Sequence, residues 1–468
     1  MKMKPSKINV NPLYTPIMDK HFKPAILHNH AFLKVVKESG RGVSLCIALE
    51  RNDGLVSTYN TEVFAENSGM DDENFFYVER LIKSLLWIRG GWKVTVGGPR
   101  NIGEYIQKAY SESGIRAFDA KFMSRVFEKP FTVIITDADS VPDSKEDPKP
   151  IGRHLEGYRI GFDAGGSDRK VAAVIAGNAV YSEEVIWHPK TESNPEYHYE
   201  EILKAIKTAA SHLPHVDAIG VSSAGIYISN RVMVASLFIK IPDELFDKKV
   251  KNIFLDIQKE MGGVPIEVAN DGDVTALAGA MDLNDNGVLG IAMGTSEAGG
   301  YVDNHGNLTG WLNELAFVPA DFNMESMVDE WSGDFGCGVK YFSQDAVIKL
   351  APQAGIILDK SLTPAEKLKI VQKHLEEGHE GAKGIFESIG CYLGYSLAYY
   401  AEFYDIKHVL ILGRVTSGEG GNLIQKKAEE VLNGEFPQLA KKIKLHLPDE
   451  STRRVGQAIA AASLPEIR

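Results

Sequence analysis

Apolar and polar positions alternate along Gly42–Phe64, and the run is broken once by the turn residues Asn52, Asp53 and Gly54. This pattern predicts two strands joined by a tight turn. Apolar residues at helical spacing over 73–88 predict a helix, and the short β-rich run 92–98 predicts another strand. Val141–Pro150 is charged, proline-rich and poor in apolar residues, so it reads as a linker. Residues 1–155 are therefore expected to form an N-terminal α/β accessory module.

Beyond that boundary, 158–187 alternates short β-rich runs with glycine, aspartate and asparagine turns, which predicts a three-stranded antiparallel meander. A helix over 196–213, a buried strand over 217–223, a helix over 243–261, a strand over 265–270 and a small-residue helix opening at Asp271 follow. The strand, glycine turn and returning strand recur at 288–308, which suggests a duplicated architecture. Long helical periodicity over 382–404, a buried strand over 408–413 and a closing helix complete the chain. The reading is an α/β protein with lobes at 156–283 and 284–451, the first completed by a helix over 452–468.

Composition narrows the class. The 468 residues are 44% hydrophobic and 24% charged, as in ordinary globular proteins. A formal charge of -12 opposes binding to a polyanion over a broad face, so nucleic acid is not an expected partner. Met1-Lys2-Met3-Lys4 has the positive start of a leader, but Ser6, Lys7 and Asn9 interrupt the place for its apolar stretch. No later segment has the apolar length of a membrane helix. Cys46, Cys337 and Cys391 are too dispersed for a disulfide framework. A cytoplasmic protein without a membrane partner is expected.

Three segments could carry chemistry. Asp163-Ala164-Gly165-Gly166-Ser167 ends a predicted strand in paired glycines, which either turn a hairpin or offer convergent backbone N–H groups to phosphate. Gly294-Thr295-Ser296 has the same form and the same two readings. Asn270-Asp271-Gly272-Asp273 stands at the carboxyl end of a strand, where open α/β sheets bind ligands. Asp271 there is either a functional carboxylate or a helix cap. Val96-Gly97-Gly98-Pro99, in the first module, reads as an ordinary strand-to-helix turn.

In combination these segments resemble the ROK family of bacterial sugar kinases and regulators, within the actin and hexokinase superfamily. The family's DxGGT motif is met by Asp163 to Ser167, with serine for threonine; NDxxxxA by Asn270, Asp271 and Ala276; and the second phosphate motif by Gly294 and Thr295, with Ser296 for its last glycine. The resemblance covers about the last two thirds of the chain. It implies a two-lobed actin-like (ribonuclease H-like) ATPase fold carrying the extra N-terminal module.

It also implies ATP-dependent phosphorylation of a hexose, amino sugar or related polyol, with Asp271 as general base. Asn270, Glu314, Ser222 and Gly225 would bind the sugar. Asp163, Gly165, Gly166, Ser167, Gly294, Thr295 and Gly413 would surround the nucleotide, with Mg2+ held through water at Asp163. The expected partner is a small-molecule sugar; a homodimer is compatible with the resemblance.

The chain departs from the family pattern at several positions. In Asn313-Glu314-Leu315-Ala316-Phe317 the glutamate of a GExGH motif is kept, but its histidine is Phe317. In the family that histidine contacts sugar and, with a cysteine cluster, holds a structural zinc; only Cys337 remains here, so no zinc is expected. Asp168 replaces a lysine that often follows DxGGT, leaving Arg169 or Lys170 to compensate, and Arg414 stands where another glycine is usual. These changes keep open a catalytically silent sugar-binding or regulatory protein. A DNA-binding repressor would need a basic helix-turn-helix, which the mixed first module does not resemble.

Overall fold

The structure is a computed structural model that describes residues 3–448 and 450–467. Met1 and Lys2 of the leader-like start, and Arg468 of the expected closing helix, lie outside the described residues. The chain divides into two compact units. The first comprises Met1–Asp147, Ile291–Gly299 and Gly310–Leu447, and the second Pro148–Gly290, Gly300–Thr309 and Pro448–Arg468.

In the first unit, β1 (Gly42–Glu50) and β2 (Val56–Phe64) pair antiparallel, with Asp53 in left-handed backbone at the turn (φ 60°). β3 (Lys93–Gly97) joins β1 antiparallel and β4 (Thr132–Thr136) joins β3 parallel, giving the sheet order β2-β1-β3-β4. The helix Asp71–Arg89 buries Leu81, Ile82, Leu85, Leu86 and Trp87, as its apolar spacing requires. It also buries charge. Glu79, Arg80 and Lys83 on this helix meet Arg116, Asp119 and Asp334, three cations against three anions, all nearly inaccessible.

The second unit contains the predicted meander: β5 (Tyr158–Ala164), β6 (Asp168–Ile175) and β7 (Asn178–Ile186) run antiparallel in turn. β8 (Ala218–Ser223) is parallel to β5; a hairpin of β9 (Ile226–Ile228) and β10 (Arg231–Val234) follows, and β11 (Ile266–Asn270) is parallel to β8. The sheet order is β11-β8-β5-β6-β7. Ile160, Phe162, Ile202, Ile219 and Val221 fill one core on this sheet.

On β5 and β8, Gly161 and Gly220 stand side by side in the register. A Cβ on either would meet the backbone of the helix Glu450–Ala462, 2.1 Å from Ala458 O and 1.6 Å from Ala461 O. The missing side chains let that helix lie directly on the strands.

The helix expected over 243–261 is broken. A short turn at Asp243–Leu245 runs into a wide turn at Phe246–Val250, and regular helix resumes only at Ile253–Glu260. The Lys251 N–H reaches back five residues to Phe246 O, and the Lys251 carbonyl accepts from Val232 N of β10. Pairing with a strand takes the hydrogen bond a continuous helix would have used.

The chain crosses between units within β12 (Val288–Met293) and returns within β13 (Glu297–Val302). With β14 (His408–Leu412) and β15 (Lys444–His446) they form a sheet of order β13-β12-β14-β15. In the first unit the long helix Glu380–Tyr400 packs along Glu419–Glu435. No helix among the described residues is long and apolar enough to cross a membrane.

Candidate functional site

In the second unit the parallel order β11-β8-β5 brings three strand ends level. Asp163 pairs in register with Ser222, and Ser223 with Asn270. Sequence-distant residues therefore share one edge of the sheet, at its carboxyl ends.

Asp163 is 8% exposed, and its Oδ1 accepts from Ser222 Oγ at 2.8 Å. Lys170 Nζ stands 3.8 Å from the other oxygen and 3.1 Å from Asp168. Burial still raises the Asp163 carboxyl above its ordinary range, against Lys170 and Ser222. Gly165, Gly166 and Ser167 make the β5–β6 turn, which Trp187 holds by donating from Nε1 to Gly165 O (2.8 Å) and from its backbone N–H to Ser167 O (3.2 Å).

Asn270 caps the helix Asp271–Leu283: its Oδ1 accepts from Gly272 N at 2.7 Å, and its Nδ2 donates to Gly225 O at 2.7 Å. The capping role considered for Asp271 thus belongs to its neighbour, although Asp271 Oδ1 also accepts from Gly272 N at 3.0 Å. Burial, then the charge of Asp163, push the Asp271 carboxyl up to about 6; backbone N–H groups and Lys190 act the other way. Two acids repelling each other at a strand end form a site where one carboxyl can exchange a proton near neutral pH. The sequence patterns did not single out Tyr227, whose hydroxyl donates to Ser223 Oγ at 2.7 Å and whose ionisation Asp271 opposes.

The remaining candidates belong to the first unit. Gly294 N donates to Ser296 O (3.0 Å), and Gly294 O accepts from Gln344 N (2.9 Å), which leaves Thr295 and Ser296 exposed. Gly413, at the end of β14, has φ 99°, and a Cβ there would lie 2.4 Å from Met293 O. The two glycine segments thus lie side by side at the ends of β12 and β14, where only glycine fits position 413.

Glu314 is anchored through its backbone, its N–H donating to Trp87 O at 3.0 Å, while Asn313 N–H donates to Ile88 O at 2.9 Å. Phe317 stacks on Trp87 (centroids 4.0 Å apart) within a cluster that includes Phe118 and Phe122. Cys337 is buried with its thiol pushed up to about 12, chiefly by burial. Among the described residues, no group of three or more histidine, cysteine, aspartate or glutamate side chains is arranged to hold a metal.

The sequence model of the ROK family matches residues 159–462. Among solved structures, a ROK hexokinase from Thermus thermophilus aligns with a TM-score of 0.51 at 17% identity, covering 65% of this chain and 97% of its own. A ROK family transcriptional regulator, a homologue of the E. coli MLC protein, aligns with a TM-score of 0.53 at 18% identity, covering 66% and 79%. A ROK family glucokinase from Streptomyces griseus, in complex with glucose and AMPPNP, aligns at 20% identity over 64% and 98%, with a TM-score of 0.49. No curated protein matches the chain in sequence. The fold is the two-lobed actin-like α/β type.

Proposed function

Because this chain belongs to the ROK family, we propose that it transfers a phosphoryl group from ATP to a hydroxyl of a hexose, amino sugar or related polyol. The observation that carries this reading is the Asp271 carboxyl, pushed up to about 6 at the end of β11 while the neighbouring Asn270 does the capping. A base of that strength accepts a hydroxyl proton near neutral pH as the oxygen attacks phosphorus. Asn270, Ser222, Gly225 and Glu314 bind and orient the sugar, so that positioning supplies much of the rate.

The backbone of Gly165–Ser167, with Gly294, Thr295 and Gly413, receives the nucleotide. The repulsion between Asp163 and Asp271 fits a divalent cation nearby, and Asp163 would hold hydrated Mg2+ through water. That ion, when bound, supplies charge neutralisation on the phosphates.

One observation favours a second reading, a silent sugar-binding or regulatory protein. Phe317 is engaged in an aromatic stack and offers no ring nitrogen to a sugar. The deciding assay is ADP release across a panel of hexoses, amino sugars and inositols, with Asp271→Asn alongside. The kinase reading expects turnover with one class and a loss of about 10²- to 10⁴-fold in the variant. A sugar that raises the melting temperature while none releases ADP would establish the regulator instead.

A further inference from the structure

The glycine turn at Gly165–Ser167 lacks the lysine that its motif often carries, and the two nearest cations do not replace it. Arg169 is 2% exposed and is held by Glu201 at 2.9 Å, with Glu183 at 3.9 Å. Lys170 is shared between Asp168 and Asp163.

A third cation reaches the turn from a different element. A Cβ built on Gly166 would lie 2.7 Å from Lys190 Cε and 2.8 Å from Lys190 Nζ, so the ammonium occupies the space that a side chain at 166 would fill. Lys190 is exposed, and no carboxylate of the described residues lies within ion-pair distance of it.

Its approach is built into the fold. Trp187, 1% exposed, ties its own segment to Gly165 and Ser167 by two hydrogen bonds. The Pro189 carbonyl accepts from His198 Nε2 at 3.1 Å, and that fully buried ring also reaches Leu237 O at 3.1 Å. Thr191 N closes a turn on His188 O at 3.2 Å. The backbone on both sides of Lys190 is thus fixed to the glycine turn and to the core.

We propose that Lys190 is a phosphate-binding residue, its ammonium contacting the terminal phosphate of a nucleoside triphosphate received by the Gly165–Ser167 turn. The inference rests on the kinase reading for its ligand. A cation without a carboxylate partner among the described residues, beside a glycine turn, is an anion site made by two elements. Its field also reaches Asp271 and lowers that carboxyl. Beside the turn the ammonium would balance charge on the transferring group. It further assigns Gly166 a second task, since any side chain there would displace the ammonium.

The test is calorimetric titration of the full chain with a non-hydrolysable ATP analogue and Mg2+, for wild type, Lys190→Met and Lys190→Arg, with sugar affinity measured in parallel. We expect Lys190→Met to weaken the nucleotide about ten- to a hundredfold, Lys190→Arg to recover most of that loss, and sugar affinity to stay unchanged. A merely structural lysine would move both ligands or neither. Nucleotide binding by Lys190→Met equal to wild type overturns the inference and leaves the kinase reading intact. Nucleotide binding that depends on Lys190, without ADP release on any sugar, supports the inference and overturns the kinase reading. A wild-type chain that binds neither the analogue nor inorganic tripolyphosphate overturns both.

Discussion

Replacing Asp271 by asparagine removes a charge while keeping the size and polarity of the side chain, and the helix retains its cap at Asn270. The folded carboxyl titrates at about 6 against an ordinary value of 3.8, a difference of about two pH units. That corresponds to roughly 3 kcal/mol, reduced to about 2 kcal/mol because the residue is only partly buried. The direction follows from the raised value. Well below pH 3.8 the acid is protonated folded and unfolded, and ionisation costs nothing. As pH rises from 3.8 to about 6 the unfolded chain ionises first, and the folded state loses stability until its own carboxyl has ionised. Asparagine escapes this loss. Urea unfolding of both proteins from pH 3 to 8 should therefore show the variant more stable than wild type by about 2 kcal/mol at pH 8, with little gain at pH 3. A difference that does not change with pH, or a variant less stable at pH 8, would refute the electrostatic account of Asp271.

Lys83 lies between Asp119 (3.1 Å) and Asp334 (3.3 Å), so Lys83→Met leaves a buried set of two cations and three anions. Unfolding in urea should show a loss of about 3–5 kcal/mol, and a loss under 1 kcal/mol would mean that the set is not acting as a charge-balanced unit. Glu297 is 3% exposed, one carboxylate oxygen has no hydrogen-bond partner, and burial raises its carboxyl well above the ordinary range. Its contribution is complete below the unfolded value and is lost as pH rises through the folded one. Glu297→Gln should therefore flatten the decline of the melting temperature as pH rises above the ordinary glutamate range; an unchanged slope counts against a protonated Glu297.

What the sequence disclosed were features written in neighbouring residues. The β5–β6–β7 meander and the strand leading into Asn270 follow from apolar runs and turn residues a few positions apart. The broken helix at 243–261 was hidden because Phe246, Val250, Ile253 and Ile257 still keep helical spacing. The break depends on Val232, which no local pattern connects to Lys251. Phe317 read as an isolated departure from a motif, and its partner Trp87 is 230 residues earlier. Lys190 carried no motif at all; what places it is the contact of Trp187 and His198 with distant backbone.

The same distinction bears on Asp271. Its position before a helix allowed two explanations, one of them ordinary capping. With Asn270 accepting from Gly272 N at the shorter distance, the helix does not need a second acceptor there, and Asp271 adds repulsion against Asp163 that lowers stability at neutral pH. A protein that only bound sugar could carry asparagine at 271 and keep both the cap and a polar contact. On the proposed phosphoryl transfer, the destabilising carboxylate would be explained by the use of its basicity, and a phosphate-binding cation at Lys190 would balance charge on the transferring group.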